Sequence, residues 1–438
     1  MDSVLKIKLN VLPDEAKVID EQSRICNWAY NHLLTVCNEL KKSFIEKGDK
    51  EAAKILYSKR GPRNLLPPLK KEYPFLCRVH SSPMKNTALR LSQSIKAYQD
   101  SRKGKRKGKE TGWPRYRSWS NSYFSLLYDE PQKGFKAQGS KLTLSFGKDE
   151  EGKRIRVTAI MEKSLTGFRK AEIRNLRITK QLGIYYAIFT VRRQEPDSKP
   201  IKRLIAFDPN HKNLAYGVDT NGKALEIKNP WFLKVRQRRI DYIKSRRDQC
   251  LRKSKLMHQE KGKSYWLPSR KWSYYDVKLE KEYRKRREQT KTYLFSICHF
   301  LCKYYDFIAV GDYTPRGGGI NKGMRRQMNN ESLIGRFKEI LSWVTRRSGC
   351  LSEKWVERNS TKTCSECGYQ HEKGLSPNIR EWECPKCKFQ HIRDENAARN
   401  GLKQVLQKYK FPGSGQSLLP VTERWTLQFN GLGCVLSA

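Results

Sequence analysis

The chain has 438 residues, in which 90 Lys and Arg stand against 44 Asp and Glu, a formal net charge of +46. A surplus of that size makes a polyanion the expected partner, because every phosphate contact releases condensed counterions from nucleic acid. Apolar residues at 37% and aromatics at 11% suffice for packed cores and exclude a histone-like tail. No apolar run approaches the roughly 20 residues that span a bilayer, and no secretory h-region or lipidation signal is visible, so no membrane partner is expected.

Residues 4–17 open with alternating Leu5, Ile7 and Leu9 and predict a strand that leads into a helix. The helix that follows carries Ile25, Trp28, Ala29, Leu33, Val36, Cys37, Leu40 and Phe44 at helical spacing, which predicts a buried stripe. A later helix is expected to open at Ser82, with Pro83 at its first position, and to bury Met84, Ala88, Leu91, Ile95 and Tyr98. Residues 101–109 form a basic run that either grips a backbone, directs nuclear import or serves as a solvated linker. Trp113-Pro114-Arg115-Tyr116-Arg117-Ser118 interleaves aromatic and basic residues, a combination that can stack on bases while pairing with phosphates. Short strands at 142–146, 156–160, 173–178 and 184–191 then predict a small β-barrel or sandwich.

Residues 204–208 read as a buried strand ending in Asp208, and the next two strands, 213–218 and 225–227, should pair with it antiparallel. A long charged helical stretch is expected over 231–304, then a buried strand 307–311, a basic Gly-rich loop at Arg316-Gly317-Gly318-Gly319, a helix bearing Leu333, Phe337, Ile340, Leu341 and Val344, and a strand 353–357. Cys364, Cys367, Cys384 and Cys387 follow as two C-x2-C pairs separated by 16 residues, the spacing of a zinc ribbon. Thiolates fill all four corners, so this zinc is structural and leaves no open position for water; any hydrolysis must come from elsewhere. The other eight cysteines read as reduced and mostly buried. Directly after the ribbon, His391-Ile392-Arg393-Asp394-Glu395-Asn396-Ala397-Ala398-Arg399-Asn400 begins a last helix, to about residue 408. No function is assigned beyond about Pro412. With the ribbon removed, the order strand, strand, strand, helix, strand, helix, strand, helix resembles the ribonuclease H fold.

Asp208 after a buried strand, the paired cysteines and Asp394-Glu395-Asn396-Ala397-Ala398 together resemble the RuvC nuclease of TnpB and Fanzor proteins, transposon-encoded RNA-guided relatives of type V CRISPR effectors. The resemblance spans residues 1–410 and implies a multidomain α+β chain. Its parts would be a wedge β-barrel (1–20 and 111–200), an inserted helical recognition lobe (21–110), an RNase H-like RuvC domain (201–360 and 393–412), a zinc-ribbon module for target nucleic acid (361–392) and a tail (413–438). It also implies an RNA-guided DNA endonuclease that takes an omega-type guide RNA and double-stranded target DNA as a monomeric ribonucleoprotein. Three carboxylates would hold two catalytic Mg²⁺ ions. The expected compartment is the nucleus for a Fanzor and the bacterial cytoplasm otherwise.

Asp208 and Asp394 match the first and third metal-binding positions of that family, but the second, at the end of the 307–311 strand, is Gly311. Asp312 could substitute through a strand bulge, although alternation aims it at the opposite face. The site could be inactive, leaving an RNA-guided DNA-binding protein. Or the carboxylate could be supplied by Glu357 on the neighbouring strand, a displacement for which Fanzor proteins and some TnpB relatives are known as a group. The site residues read from the sequence are therefore Asp208, Glu357 and Asp394 for magnesium and the four cysteines for zinc. A zinc-ribbon transposition accessory protein is a third reading, disfavoured by the size of the basic helical and β regions.

Overall fold

A computed structural model describes residues 2–106, 108–117, 124–165, 172–251, 255–258, 264–313, 332–372, 374–375, 379–409, 418–431 and 433–437, with the backbone alone at 255–258 and 264–266. Ser118 and the Gly-rich loop at 316–319 lie outside the described residues. The chain divides into two compact units, Met1–Gln194 and Glu195–Ala438.

In the first unit, β1 (Asp2–Asn10) is the central strand of a seven-stranded sheet whose other members come more than a hundred residues later. These are β2 (Leu126–Tyr128), β3 (Phe135–Gln138), β4 (Lys141–Lys148), β5 (Arg154–Met161), β6 (Ile173–Gln181) and β7 (Ile184–Arg192), in the spatial order β2-β6-β7-β1-β5-β4-β3. Adjacent strands run antiparallel. The barrel or sandwich expected from sequence is, among the described residues, one open sheet with β2 and β3 at its edges. Between β1 and β2 the chain is helical, in α1 (Pro13–Lys47), the short α2 (Lys50–Tyr57), α3 (Gly61–Asn64) and α4 (Leu66–Glu72), and α5 (Ser81–Arg102). Pro13 starts α1, and Gly48 ends it in the left-handed region (φ 67°), which glycine adopts without a Cβ clash. Ile25, Ala29, Leu33 and Cys37 of α1 share one core with Leu142, Leu144 and Phe146 of β4 and Ala187, Phe189 and Val191 of β7. Trp28, Val36, Leu40 and Phe44 are only partly covered.

Two sequence expectations change here. The cap of α5 is His80, whose ring nitrogen accepts the Ser82 N–H at 3.1 Å, so the helix begins one residue before Ser82. The aromatic and basic side chains after α5 are largely consumed by α1: Trp113 donates its indole N–H to Asn38 at 2.8 Å, Tyr116 meets Thr35 and Asn38, and the Arg117 guanidinium lies 3.7 Å from the Tyr30 ring centroid. Of the eight cysteines outside the ribbon, Cys26, Cys37, Cys298, Cys302 and Cys350 are buried, Cys250 and Cys434 half-buried and Cys77 exposed, and none is disulfide-bonded.

The second unit is built on another seven-stranded sheet, formed by β8 (Leu204–Pro209), β9 (Ala215–Asp219), β10 (Lys223–Ile227), β13 (Phe307–Gly311), β14 (Leu351–Trp355), β17 (Glu423–Phe429) and β18 (Cys434–Ser437), in the order β14-β13-β8-β9-β10-β17-β18. β14, β13 and β8 are parallel, β8, β9 and β10 antiparallel as expected. The 231–304 stretch is two helices, α6 (Phe232–Cys250) and α7 (Arg270–Tyr304), joined through a hairpin of β11 (Lys255–His258) and β12 (Ser264–Leu267). Both arms are so charged that the sequence pattern shows no break; what pairs them is a small core of Ile240, Ile243 and Leu279 and the buried Glu282, gripped by Arg236 and Arg239. After β13 come α8 (Ile334–Ser348), β14, a ribbon hairpin of β15 (Glu381–Glu383) and β16 (Gln390–Ile392), and α9 (Arg393–Tyr409).

The residues expected to form a tail instead close the sheet. β17 runs parallel to β10 and β18 antiparallel to β17, with Leu427 and Phe429 in the core. Their alternation is short and interrupted, and the partner strand lies 200 residues earlier, so no local pattern announces the pairing. Helices cover both faces. Ile205, Phe207, Ile308 and Val310 pack with α7 and α8, whereas Leu204, Ala206, Phe307, Ala309 and Trp355 pack with Ala398, Leu402 and Val405 of α9.

The α9 contact is unusually close at Gly401, where an added Cβ would stand 2.7 Å from Trp355 Cδ2 and Cζ2. The indole cannot withdraw without losing its N–H bond to Phe207 O at 3.0 Å. Gly401→Val is therefore expected to destabilise the second unit by about 1–3 kcal/mol, through overpacking. Calorimetry should show a lower melting temperature for that unit with the first unit's transition unchanged.

Candidate active site and metal centre

Side chains alternate along a strand, and that period decides which acids can meet. On β8, Leu204 and Ala206 face α9, so Asp208 faces it too; on β13, Phe307 and Ala309 put Gly311 on the same face. Trp355 also faces α9, and Glu357, two residues further, continues that face beyond the end of β14. The expected strand end at Glu357 is thus corrected: β14 stops at Trp355 because Glu357 lies in a turn, with Ser360 N donating to its carbonyl at 3.0 Å. Register aligns the three segments at one sheet edge, Gly311 opposite Trp355 and Val310 opposite Phe207.

The Glu357 side chain occupies the space a side chain at 311 would need. A Cβ on Gly311 would lie 2.5 Å from both Glu357 Cγ and Cδ. Asp312 is exposed, and its carboxylate accepts the Glu357 N–H at 3.1 Å while its own N–H reaches Trp355 O at 2.9 Å. Asp312 therefore holds the backbone that carries Glu357.

Asp208 is buried, and burial, followed by the charges of Glu357 and Asp394, pushes its carboxyl well above the usual range, against a small opposing effect of Arg393. Glu357 is pushed up to about 7, chiefly by burial and further by Asp312, against the Tyr313 N–H and Lys338. Glu357 Oε1 is buried with no hydrogen-bond partner. Asp394, in the first turn of α9, accepts from Asn210 Nδ2 at 3.4 Å and from Arg380 Nη1 at 3.3 Å to both oxygens. The structure thus brings Asp208, Glu357 and Asp394 to one electrostatic cluster. Among the described residues, however, only the four cysteines hold their donor atoms within 4.8 Å of one another.

Sequence reasoning missed most of the surround. Lys338 donates to Tyr313 O at 3.0 Å, and the Tyr313 hydroxyl meets His211 Nε2 at 3.1 Å. Asn210 could have been suspected from its place two residues after Asp208, on the same face. Arg380 could not, because its position depends on the path of the ribbon.

The ribbon cysteines sit in two matching turns. Cys364 N donates to Tyr369 O and receives Gly368 N on its carbonyl; Cys384 N donates to Phe389 O and receives Lys388 N likewise. Gly368 and Lys388, at equivalent places, are both left-handed (φ 74° and 61°). The Sγ atoms of Cys364 and Cys387, and of Cys367 and Cys384, are 3.6 Å apart. A tetrahedron with Zn–S bonds of about 2.3 Å has edges of about 3.8 Å, so the four thiols fit a zinc ion. His391 Nε2 lies 3.0 Å from Cys364 Sγ, beneath the stacked Trp382 ring, where it can orient that sulfur. Helix α9 holds the ribbon's stem: Asn396 and Asn400 donate to Ser360 O and Thr363 O, Asn396 accepts Ser365 N at 2.8 Å, and Arg399 pairs with Glu366 at 2.6 Å.

Two outcomes are expected. Cys384→Ser should reduce bound zinc from one per chain to well below one, by elemental analysis under reducing conditions, because three thiolates leave the tetrahedron open. Glu357 has a folded value of about 7, above its ordinary 4.5, so folding retains a proton that the unfolded chain releases and stability falls as pH rises through that interval. Without divalent cations, Glu357→Gln should raise the melting temperature at pH 8 and leave it unchanged at pH 4.

The family described as "Cas12f1-like, TNB domain" matches residues 335–401, which span α8, β14, the ribbon and the first half of α9. "Putative RNA-guided DNA endonuclease MT2953" of Mycobacterium tuberculosis is 24% identical over 344 residues, covering 74% of this chain and 68% of that protein. "TnpB-like protein L79" of Acanthamoeba polyphaga mimivirus is 28% identical over 137 residues, 30% of this chain and 26% of that protein. Among solved structures, a Cas12f1 bound to sgRNA and target DNA aligns over 91% of this chain and 98% of its own, with a TM-score of 0.53 at 12% identity, a likeness of fold. With the mixed α+β architecture and the four-thiol ribbon, these matches make the chain similar to the TnpB family of type V-related effectors.

Proposed function

We propose that this protein is an RNA-guided DNA endonuclease in which Asp208, Glu357 and Asp394 hold two Mg²⁺ ions at a RuvC-type, RNase H-like site. The observation that carries the reading is Glu357 lying over Gly311, in the space a carboxylate at 311 would use. Asp208 is buried and Glu357 Oε1 is a buried, unpartnered oxygen, an arrangement that is unfavourable unless protonated or paired with a cation. Hard, oxygen-liganded ions suit it, and the net charge of +46 favours approach of nucleic acid. When bound, Mg²⁺ would supply an activated water and stabilise the leaving oxygen of the phosphodiester.

The chain's own groups do the rest. Asp312 fixes the Glu357 backbone, Asn210 orients Asp394, and Arg380 neutralises Asp394 while no cation is present. Guide RNA would choose the target by base pairing. The first unit would serve as wedge and recognition lobe and the ribbon as target-binding module, in a monomeric ribonucleoprotein. The displaced glutamate favours the Fanzor branch and, with it, a nuclear location. A nuclease-dead guided binder is disfavoured by the cluster itself, since binding by occupancy has no use for three carboxylates gathered at one sheet edge, with Asp208 buried.

The test is cleavage of a matched duplex by the protein with its copurified RNA. Asp208→Ala, Glu357→Ala and Asp394→Ala should each lose Mg²⁺-dependent cutting while retaining RNA and target binding. Asp312→Ala should cut more slowly but measurably. Gly311→Glu alone should be inactive because it displaces Glu357, and Gly311→Glu combined with Glu357→Gly should recover part of the activity. If Glu357→Ala cuts as well as the parent while Asp312→Ala is dead, the second carboxylate belongs to Asp312. RNA-free protein that cuts a specific duplex would exclude the guide.

A further inference from the structure

We infer that Arg424, on the strand that the sequence pattern leaves without a role, is a positioning residue for Asp394. The inference rests on the nuclease reading above. Helix α9 presents Asp394 to the acid cluster and the next residue, Glu395, to the sheet. Glu395 is buried, yet its carboxylate is fully engaged: Arg424 Nε donates to Oε2 at 3.0 Å, Arg424 Nη2 to Oε1 at 3.2 Å, and the Tyr216 hydroxyl to Oε2 at 3.1 Å. A fork of two parallel N–H bonds fixes angle as well as distance.

The anchors have informative positions. Tyr216 is the register partner of Asp208, so Glu395 is tied to the strand pair that carries another acid of the cluster. Arg424 stands beyond β10, where the small Ala224 is its ladder partner and also pairs with Val218 of β9. Residues Leu418 and Val421 pack on the core under α9, and Leu419 O accepts from Arg399 Nη1 at 3.0 Å, so the approach to β17 is fastened to the same helix. The result is a clamp of Arg424, Glu395 and Tyr216 that sets the rotation of the first turn of α9 about its axis. Asp394 has little other support from the sheet: its partners are the longer bond from Asn210 and Arg380 of the ribbon. Loss of the clamp would free Asp394 without removing any atom from the metal site. Arg424 itself is half exposed, so its truncation leaves no cavity in the core.

The experiment measures Mn²⁺ binding to the ribonucleoprotein by electron paramagnetic resonance, beside the Mn²⁺ dependence of cleavage. Arg424→Ala should weaken Mn²⁺ binding about 10-fold, the lower end of what loss of an outer-shell partner does to metal affinity. Half-maximal cleavage should move to correspondingly higher Mn²⁺, with zinc content and RNA binding unchanged. Arg424→Lys, which keeps the charge but not the fork, should recover part of the affinity. Glu423→Gln, which breaks the neighbouring exposed pair with Lys223, should bind Mn²⁺ like the parent. If Arg424→Ala binds Mn²⁺ like the parent while Asp394→Ala does not, the positioning role is wrong and the nuclease reading stands. Equal weakening by Arg424→Ala and Glu423→Gln also overturns it, since strand pairing alone would then be responsible. If parent and Asp394→Ala bind Mn²⁺ alike, the carboxylate site itself is wrong and the clamp falls with it.

Discussion

The close seat of α9 on the sheet is the constraint on which the second unit depends. Ala397 and Ala398 are fully buried beneath it, and Gly401 admits the Trp355 ring where any side chain would collide. Once that face is fixed, helical geometry fixes the others. Asp394 must point to the edge shared with Asp208, Glu395 towards β9 and β17, and Asn396, Asn400 and Lys403 towards the stem of the ribbon. About two and a half turns of helix thus connect three parts that are remote in sequence. The small residues in Asp394-Glu395-Asn396-Ala397-Ala398 are there for the approach, the polar ones for the connections.

The acid cluster sits at the end of two strands that are buried throughout. Asp208 emerges from a strand whose residues are all buried, and Glu357 folds back over a glycine from just beyond the neighbouring strand. Both carboxyls are pushed towards the protonated form by burial. Each therefore costs free energy in its charged form. Gly311 and Glu357 are therefore one structural feature: the absence of a side chain at the first is what gives the second its place.

The first unit shows how a basic surface and a packed core are reconciled. Its central strand comes first in the chain and is enclosed by strands formed after the helices, so neither the helices nor the sheet can complete its core without the other. Arg117, Trp113 and Tyr116, which look like nucleic-acid contacts in isolation, are taken up by Tyr30, Asn27, Asn38 and Thr35 of α1. These contacts bind the chain leaving the helices back onto α1, with Tyr116 still largely exposed. Aromatic and basic residues in alternation are chemically suited to bases and phosphates, but also to a helix face that presents Asn and Tyr.

What the sequence by itself determined was local: the two cysteine pairs, whose short spacings leave little conformational choice; the strands with a strict period of two; the long helices; and the places of Asp208 and Asp394, each next to a strong pattern. The place of Glu357 beside Gly311 was legible too, though only as one alternative among three. The tertiary structure decided what depends on distant partners. It separated α6 from α7 by a hairpin that uniform charge had hidden. It recruited β17 and β18 into a sheet whose receiving edge lies 200 residues earlier, and it brought Arg380 and Arg424 to the residues around Asp394. Strand pairing and ion pairs across such separations are selected by the shape of the whole sheet, because the hydrogen-bonding edge and the charge to be met exist only once the rest has folded.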